Sequence, residues 1–242
     1  MDLGRRTSPS VPDAVTMLVP LGAVEQHGPH LPLDTDTTVA EAVCRGVAAR
    51  LSADGRPVLV APPMPYGASG EHEGFPGTVS IGTEALRTVV VELVRSARRW
   101  CGPVVLVTGH GGNADAVSAA VRRLRYEGHD VAWTSCAEPG WDAHAGRAET
   151  SLLLTLRPED VDTDAAVAGP DAPVGDLLPA LRAGGVRAVS PSGVLGDPAG
   201  AGASEGREHL RRVVDRVHGQ VTAGVADEYG RLERPVPAGA PR

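Results

Sequence analysis

Cysteines and long apolar runs are scarce in this sequence, and their scarcity excludes several classes of protein. The 242 residues include three cysteines, Cys44, Cys101 and Cys136, which lie far apart and form no CxxC pair. This spacing excludes a disulfide framework and favours a reducing compartment. The N-terminal segment lacks the apolar core of a signal peptide, and no apolar run is long enough to span a bilayer. We therefore expect a cytoplasmic protein with buried structural thiols.

Aromatic residues and basic clusters are also scarce. Aromatics make up 3% of the chain, so the core must consist mostly of valine, leucine and alanine. The 23 basic and 30 acidic residues give a formal net charge of −7 without any basic block. This balance argues against nucleic acid or an anionic membrane as the main partner. The length fits a single domain over residues 13–232, with flexible tails at 1–12 and 233–242.

Short apolar runs alternate with amphipathic helical patterns along the chain. Runs typical of buried strands cover residues 15–22, 57–64, 103–109 and 129–136. Helical patterns cover residues 38–51, 83–100, 113–128, 144–156 and 205–229. Such alternation predicts an α/β fold with a mostly parallel sheet covered on both faces by helices. Ligands are then expected in the crevice at the carboxyl ends of the strands.

Side chains of the kind that bind metals follow two of these predicted strands. Glu25 and His27 are two residues apart, which in an extended segment places them on the same side. Asp36 lies just before the first predicted helix, where it could cap the helix or bind a metal. His110 follows the third strand directly. Mixed imidazole and carboxylate ligands suit Zn²⁺, Mn²⁺ or Fe²⁺, and a bridging Asp would allow two ions.

A second group of candidate residues surrounds the fourth predicted helix. His144 stands near its start and Glu149 within it. His144 is a candidate proton shuttle, because imidazole titrates in the appropriate range, or else a helix-start residue bonded to backbone. The segment GHGGN could also form a phosphate-binding turn, although it lacks both the GxGxxG pattern and the P-loop lysine. None of these spacings is by itself a strong metal motif.

Four segments together strongly resemble the creatininase family of metal-dependent amidohydrolases. They are EQHGPHLPLDTDT, YGASGEHEGFPGTVSIG, VLVTGHGGN and HAGRAETSLLL, and they occur in the family's order. The resemblance implies a three-layer α/β/α sandwich, a two-metal centre of Zn²⁺ or Fe²⁺ (with Mn²⁺ as a further possibility), and a homo-oligomer such as a hexamer. The downstream half resembles the mycofactocin-associated branch, whose enzyme trims the C-terminus of a modified precursor peptide. The alternative within the family is hydrolysis of a small lactam or formamide.

The resemblance also implies roles for particular residues. Glu25 and His27 correspond to ligands of different metals, Asp36 to a bridging carboxylate, and His110 to a further ligand. Creatininase itself has a glutamate ligand where this chain has Gly112. Glu149 can fill that gap, and His144 corresponds to the catalytic histidine. A binding module without catalysis would leave this set of residues unexplained.

Three further residues are candidates for contact with the substrate. Ser69 and His72 lie in a long glycine-rich segment between the second strand and the next helix, and long ordered loops of this kind are often functional. Arg147 stands where many relatives have a glutamate. It could anchor a peptide's terminal carboxylate through two hydrogen bonds, or form a surface pair with neighbouring acidic residues.

Overall fold

Four short strands form one parallel sheet in the computed structural model, which describes residues 1–234. The strands are β1 (Thr16–Leu21), β2 (Val58–Val60), β3 (Val104–Thr108) and β4 (Val131–Ser135). Their order is β2-β1-β3-β4, and every neighbouring pair is parallel. All four lie within the predicted apolar runs, which confirms the expected parallel sheet.

Helices cover both faces of the sheet. They are α1 (Thr35–Ala53), α2 (Thr83–Ala97), α3 (Ala114–Tyr126), α4 (Arg147–Leu156), α5 (Val174–Val189) and α6 (Ala203–Ala223). Because side chains alternate along a strand, Leu18 and Val105 pack in one core with α1, α4 and α6. Met17 and Val104 pack in a second core with α2 and α3. The predicted three-layer α/β/α sandwich is therefore confirmed.

The strand order creates a crevice at the carboxyl ends of two neighbouring strands. The chain leaves β1 towards β2 on one side and later enters β3 on the other side of β1. The order thus reverses between β1 and β3, and such a reversal opens a crevice at the carboxyl ends of the two strands. The segments that follow β1 and β3 both enter this crevice.

Several helix boundaries differ from the sequence prediction. Helix α1 begins at Thr35, three residues early, so Asp36 lies in its first turn and is not the cap residue. Helix α2 ends at Ala97, three residues before the predicted end at residue 100. The last helix ends at Ala223, earlier than the predicted residue 229, because Gly224 adopts a left-handed conformation with φ of 67°.

Helix α5 was not predicted at all. Its sequence contains Pro179 and two adjacent glycines, which weaken a helical pattern. The structure shows the reason for the second glycine: Gly185 has φ of 69° and kinks the helix. A Cβ atom at this position would lie 2.8 Å from the carbonyl oxygen of Glu71, so the backbone of α5 rests directly on the segment that contains Glu71.

The residues predicted as an N-terminal tail contact the folded domain. The carbonyl oxygen of Met1 accepts a hydrogen bond from the amide of Val60 (2.9 Å), and Asp2 forms an ion pair with Arg45. The N-terminal residues therefore contact the edge of the sheet at β2. Residues 235–242 of the predicted C-terminal tail lie outside the described residues. Among residues 1–234, no helix is both long enough and apolar enough to cross a membrane.

Two glycines allow α1 to approach the ends of β1 and β3. A Cβ atom at Gly109 would lie 2.2 Å from the carbonyl oxygen of Asp36, and one at Gly22 would lie 2.5 Å from the Cα atom of Thr37. Neither neighbouring group is the movable end of a side chain. These two positions therefore require glycine if the first turn of α1 is to lie where it does.

We expect Gly109→Ala to destabilise the protein, because the added methyl group meets backbone that cannot move aside. Overpacking of this kind costs about 1–3 kcal/mol of unfolding free energy, which urea denaturation would measure. Gly111→Ala is the matched control, since a Cβ atom there meets nothing within 4 Å. Equal unfolding midpoints for the two variants would show that the close approach is unimportant.

Candidate metal centre

The structure brings the predicted metal ligands together in the crevice between β1 and β3. Glu25 and His27 come from the segment after β1, Asp36 from the first turn of α1, and His110 from the segment after β3. All four side chains are buried, and Glu149 of α4 joins them from the opposite wall. Residues that span 124 positions of the sequence, from 25 to 149, thus share one site.

Asp36 lies between two imidazoles, with one oxygen towards each. Its Oδ1 is 3.4 Å from His27 Nε2, and its Oδ2 is 3.5 Å from His110 Nδ1. Backbone contacts orient both rings. His27 Nδ1 is 3.2 Å from the carbonyl oxygen of Glu25, and His110 Nε2 is 3.2 Å from that of Ala68. Each ring can therefore donate its other N–H to a carbonyl and turn a lone pair towards Asp36.

The two glutamates complete two groups around this aspartate. Glu25 Oε1 is 3.2 Å from His110 Nδ1, so one group consists of Glu25, Asp36 and His110. Glu149 Oε2 is 3.9 Å from His27 Nε2, so the other consists of His27, Asp36 and Glu149. The amide of Ala145 donates to Glu149 Oε2 (2.6 Å) and fixes that carboxylate.

Several polar atoms of this cluster have no hydrogen-bond partner among the described residues. They are both carboxylate oxygens of Glu25, Nε2 of His27 and Oδ2 of Asp36. Buried polar atoms rarely stay unsatisfied, because desolvation without compensation costs free energy. Oxygen and nitrogen donors that face a common space are the ligand set of a divalent cation. These residues therefore fit a metal centre.

Charge balance in the cluster supports the same conclusion. Burial opposes protonation of His27, but Asp36, followed by Glu149 and Glu25, outweighs it and raises the pKa of His27 to about 10. Burial also opposes protonation of His110, yet Glu25 and Asp36 raise its pKa well above the ordinary value. The pKa of Glu149 rises to about 7, mainly through burial. The buried carboxylates thus attract positive charge, which a divalent cation supplies when the imidazoles are deprotonated.

Gln26 organises two further histidines, although sequence analysis did not single it out. Its Oε1 accepts from the amide of Gly28 (2.9 Å), and its Nε2 donates to the carbonyl of Gly193 (3.2 Å). The second hydrogen on Nε2 then points to His72 Nδ1, 2.8 Å away. His72 therefore carries its own proton on Nε2, which faces Glu25 Oε1 at 3.4 Å.

His144 stacks in the same cluster, with ring centroids 4.3 Å from His27 and 4.5 Å from His72. Its Nε2 is 2.8 Å from the carbonyl oxygen of Gln26 and donates to it. This leaves Nδ1 unprotonated, 3.7 Å from Glu25 Oε1. Burial, followed by the charges of His27 and His72, lowers the pKa of His144 well below its usual range, so its imidazole is neutral.

Glu71, also not predicted, occupies the space beside Gly112. Its Oε1 is 3.4 Å from His110 Nε2, on the side of the ring opposite the metal ligands. A Cβ atom at Gly112 would lie 2.4 Å from this oxygen and 2.4 Å from His110 Nε2. The absent side chain at position 112 therefore makes room for a carboxylate that orients His110. In the sequence, the position of Glu71 directly before His72 could have indicated a role for it.

Of the three predicted substrate contacts, Ser69 and His72 are buried at the site, whereas Arg147 is partly exposed. His72 lies in the cluster itself. Ser69, three residues earlier, is buried, and its Oγ has no partner among the described residues. Arg147 is half exposed, and its Nε donates to both carboxylate oxygens of Glu205 at 2.9 and 3.1 Å. Arg147 therefore forms a surface pair in this structure, and its contact with substrate stays a prediction.

Asn113 connects the three segments that form the crevice. Its Oδ1 accepts from the amide of Ala68 (2.9 Å), and its Nδ2 donates to the carbonyl of Gly22 (3.0 Å). The GHGGN segment thus contributes a ligand, His110, and a residue that holds the ends of two neighbouring segments together. Both of its polar side chains thus contact other segments of the protein.

An open cavity of about 770 Å³ lies above the cluster. Asp36, His110, His144 and Glu149 line its floor, together with His72. This volume is within the range of ligand pockets in enzymes. A substrate that enters the cavity reaches the candidate metal ligands directly.

Comparison with known proteins agrees with this geometry. A family model described as creatininase, creatinine amidohydrolase, matches residues 6–221. The mycofactocin precursor peptide peptidase of Mycolicibacterium smegmatis is 52% identical over 96% of this chain and 91% of that protein. The creatinine amidohydrolase of Pseudomonas putida is 36% identical over 69% of this chain and 74% of that protein.

Solved creatininases have the same fold. One described as creatininase Mn superposes with a TM-score of 0.74 at 30% identity, over 91% of this chain and 97% of that one. A mutant creatininase described as Zn-Zn type gives a TM-score of 0.72 at 30% identity, over 91% and 96%. With a family model that covers most of its length and a sandwich that superposes on solved members, this chain belongs to the creatininase family of amide-bond hydrolases.

Proposed function

We propose that the protein is a cytoplasmic dinuclear metallopeptidase, which hydrolyses a peptide bond near the C-terminus of a mycofactocin precursor peptide and releases a C-terminal dipeptide. Metal-dependent hydrolysis is proposed from the buried cluster of Glu25, His27 and Asp36. Several polar atoms of this cluster have no hydrogen-bond partner among residues 1–234, and an open cavity adjoins the cluster at Asp36. The substrate is proposed from the 52% identity to the peptidase of Mycolicibacterium smegmatis.

Two cations would share Asp36. Glu25, Asp36 and His110 would hold one, and His27, Asp36 and Glu149 would hold the other, since each imidazole faces a different oxygen of Asp36. Divalent cations at such positions supply Lewis-acid chemistry, which polarises a carbonyl and lowers the pKa of water towards neutrality. Zn²⁺ and Fe²⁺ are proposed, with Mn²⁺ as a further possibility, because mixed nitrogen and oxygen ligands accept all three.

His144 would move the proton that amide hydrolysis requires. Its Nδ1 is unprotonated and its Nε2 is held by the carbonyl of Gln26, so the ring presents a basic nitrogen beside Glu25. Nδ1 can take a proton from the attacking water and deliver it to the leaving amine. His72, whose Nε2 faces Glu25 Oε1 at 3.4 Å, would orient that carboxylate, and Ser69 remains a proposed substrate contact.

The size of the cavity favours a peptide over a small lactam or formamide. A cavity of about 770 Å³ is much larger than a small ring amide needs. Leu178, Leu181 and Trp141 add apolar surface to its walls, as an extended substrate with side chains would require. Creatininase-type hydrolysis of a small amide is the second candidate, because both reactions would use the same ligands.

We further propose that the protein is a cyclic homo-oligomer, a hexamer or a similar assembly, as the family resemblance implies. Tyr126 at the end of α3 is 94% exposed and Trp100 after α2 is 38% exposed. Large apolar side chains of this kind are common in contacts between subunits. Light scattering coupled to gel filtration should give a mass several times 24.9 kDa, and a monomer mass would contradict this proposal.

Incubation with the modified precursor peptide should release a dipeptide, which mass spectrometry of the products identifies. We expect chelation to abolish the release, because the ligands alone supply no Lewis acid, and Zn²⁺ or Fe²⁺ to restore it. Creatinine and a formamide serve as comparison substrates in the same assay. Hydrolysis of these compounds but not of the peptide would favour the second candidate, and full activity after complete chelation would contradict a metal-dependent reaction.

His144→Ala should lower kcat by about 10²–10⁴-fold, the usual contribution of a positioned general acid–base. Metal content, measured by atomic emission on the same samples, should stay at the wild-type level because His144 is not among the proposed ligands. His129→Ala, a replacement on the surface after α3, is the matched control and should keep wild-type turnover. A His144→Ala enzyme within threefold of wild type would contradict the proton-transfer role.

A further inference from the structure

The walls of the cavity are strongly acidic. Seven carboxylate side chains line it: Asp36, Glu71, Glu73, Asp115, Glu138, Asp142 and Glu149. The chain contains no lysine, so every basic side chain other than histidine is an arginine. Among the described residues that line the cavity, Arg182 is the single arginine. Glu138 is paired with Arg216, but Glu73, Asp115 and Asp142 form no ion pair with residues 1–234. A free peptide carboxylate would therefore be repelled near these three side chains and attracted near Arg182.

Arg182 belongs to the part of α5 that covers the cavity. Leu178, Leu181 and Arg182 follow the i, i+3, i+4 spacing of one helix face, and all three line the cavity. Two contacts hold α5 in this position. The backbone at Gly185 rests on the carbonyl of Glu71, and Arg187 donates to the carbonyl of Gly74.

The guanidinium of Arg182 forms no ion pair and no side-chain hydrogen bond with residues 1–234. Arginines close to the site differ in this respect. Arg147 is paired with Glu205, and Arg216 is paired with Glu138 and donates to the carbonyl of Ser135. Arg182 is exposed to the cavity and to solvent, so its five donors are available to a ligand.

We propose that Arg182 binds the C-terminal carboxylate of the peptide substrate, while Leu178 and Leu181 contact the apolar part of the terminal residue. The proposal rests on the proposed peptidase function and moves the carboxylate anchor from Arg147 to Arg182. A guanidinium matches a carboxylate with two parallel hydrogen bonds, and it keeps its charge at every pH at which the enzyme works. Because an extended dipeptide spans only about 7 Å, an anchor on the cavity wall also fixes which peptide bond reaches the metal centre.

Two peptide substrates and two enzymes test the anchor. The substrates are the precursor peptide with a free C-terminal carboxylate and the same peptide with a C-terminal amide. For the wild type, kcat/KM should be about 10- to 100-fold lower with the amide, as expected for loss of a charge-assisted hydrogen bond. Arg182→Gln should lower kcat/KM for the free acid by a similar factor, mainly through KM, and should leave the amide nearly unchanged.

Controls separate this role from general effects. Arg182→Lys should recover part of the preference for the free acid, because the charge is kept while the paired geometry is lost. Arg87→Gln, a replacement on the exposed face of α2, should behave like the wild type with both substrates. Thermal unfolding of each variant verifies the fold.

The possible outcomes distinguish this proposal from the one on which it rests. If the wild type cleaves neither peptide, the peptidase function fails and the anchor fails with it. If the wild type cleaves acid and amide at equal rates, or Arg182→Gln lowers both equally, the anchor is wrong and the peptidase function stands. If Arg147→Gln abolishes the preference for the free acid and Arg182→Gln does not, the anchor is Arg147.

Discussion

Two buried carboxylates, Glu25 and Asp36, impose the constraint on which the rest of the site depends. An ionised carboxylate inside a protein is stable only when opposite charge and hydrogen bonds replace the water it has lost. Here most of the groups around them are imidazoles, and both oxygens of Glu25 and one oxygen of Asp36 still accept no hydrogen bond from residues 1–234. Such a cluster is not needed for the stability of the sandwich, because leucine or valine at these positions would pack without any desolvation cost. A divalent metal site that requires these ligands would explain its presence.

The fold meets this constraint through the reversal of strand order between β1 and β3. The reversal brings the segments after both strands to one place, but Asp36 reaches them only because α1 begins against the strand ends. Gly22 and Gly109 permit that approach, and Asn113 connects Gly22 to Ala68. The positions of the ligands are therefore set by backbone contacts, which are stiffer than side-chain contacts. A rigid cluster of this kind also keeps its geometry when substrate enters the cavity above it.

The sheet and the ligand set could be predicted from the sequence, because both depend on local patterns. Buried parallel strands are continuous apolar runs, and polar residues directly after them must lie at the same edge of the sheet. Gln26 and Glu71 were missed because their roles depend on contacts with residues far along the chain. The side chain of Gln26, for example, contacts His72, 46 positions away, and the carbonyl of Gly193, 167 positions away. Helix α5 was missed because its stability comes from packing on the Glu71 segment, and its proline and glycines contradict helix propensity.

The carboxylates outside the candidate metal centre make much of the cavity wall unfavourable for anions, and this bears on the choice of substrate. Glu73, Asp115 and Asp142, which form no ion pair with residues 1–234, raise the free energy of a carboxylate bound near them, so a peptide end is disfavoured there without a compensating charge. Internal peptide segments carry no such charge and would enter more readily. An enzyme that acts only near a chain end must reverse this preference. One arginine among many carboxylates does so with unusual selectivity, because a free carboxylate is favoured at that single position and disfavoured along the rest of the acidic walls.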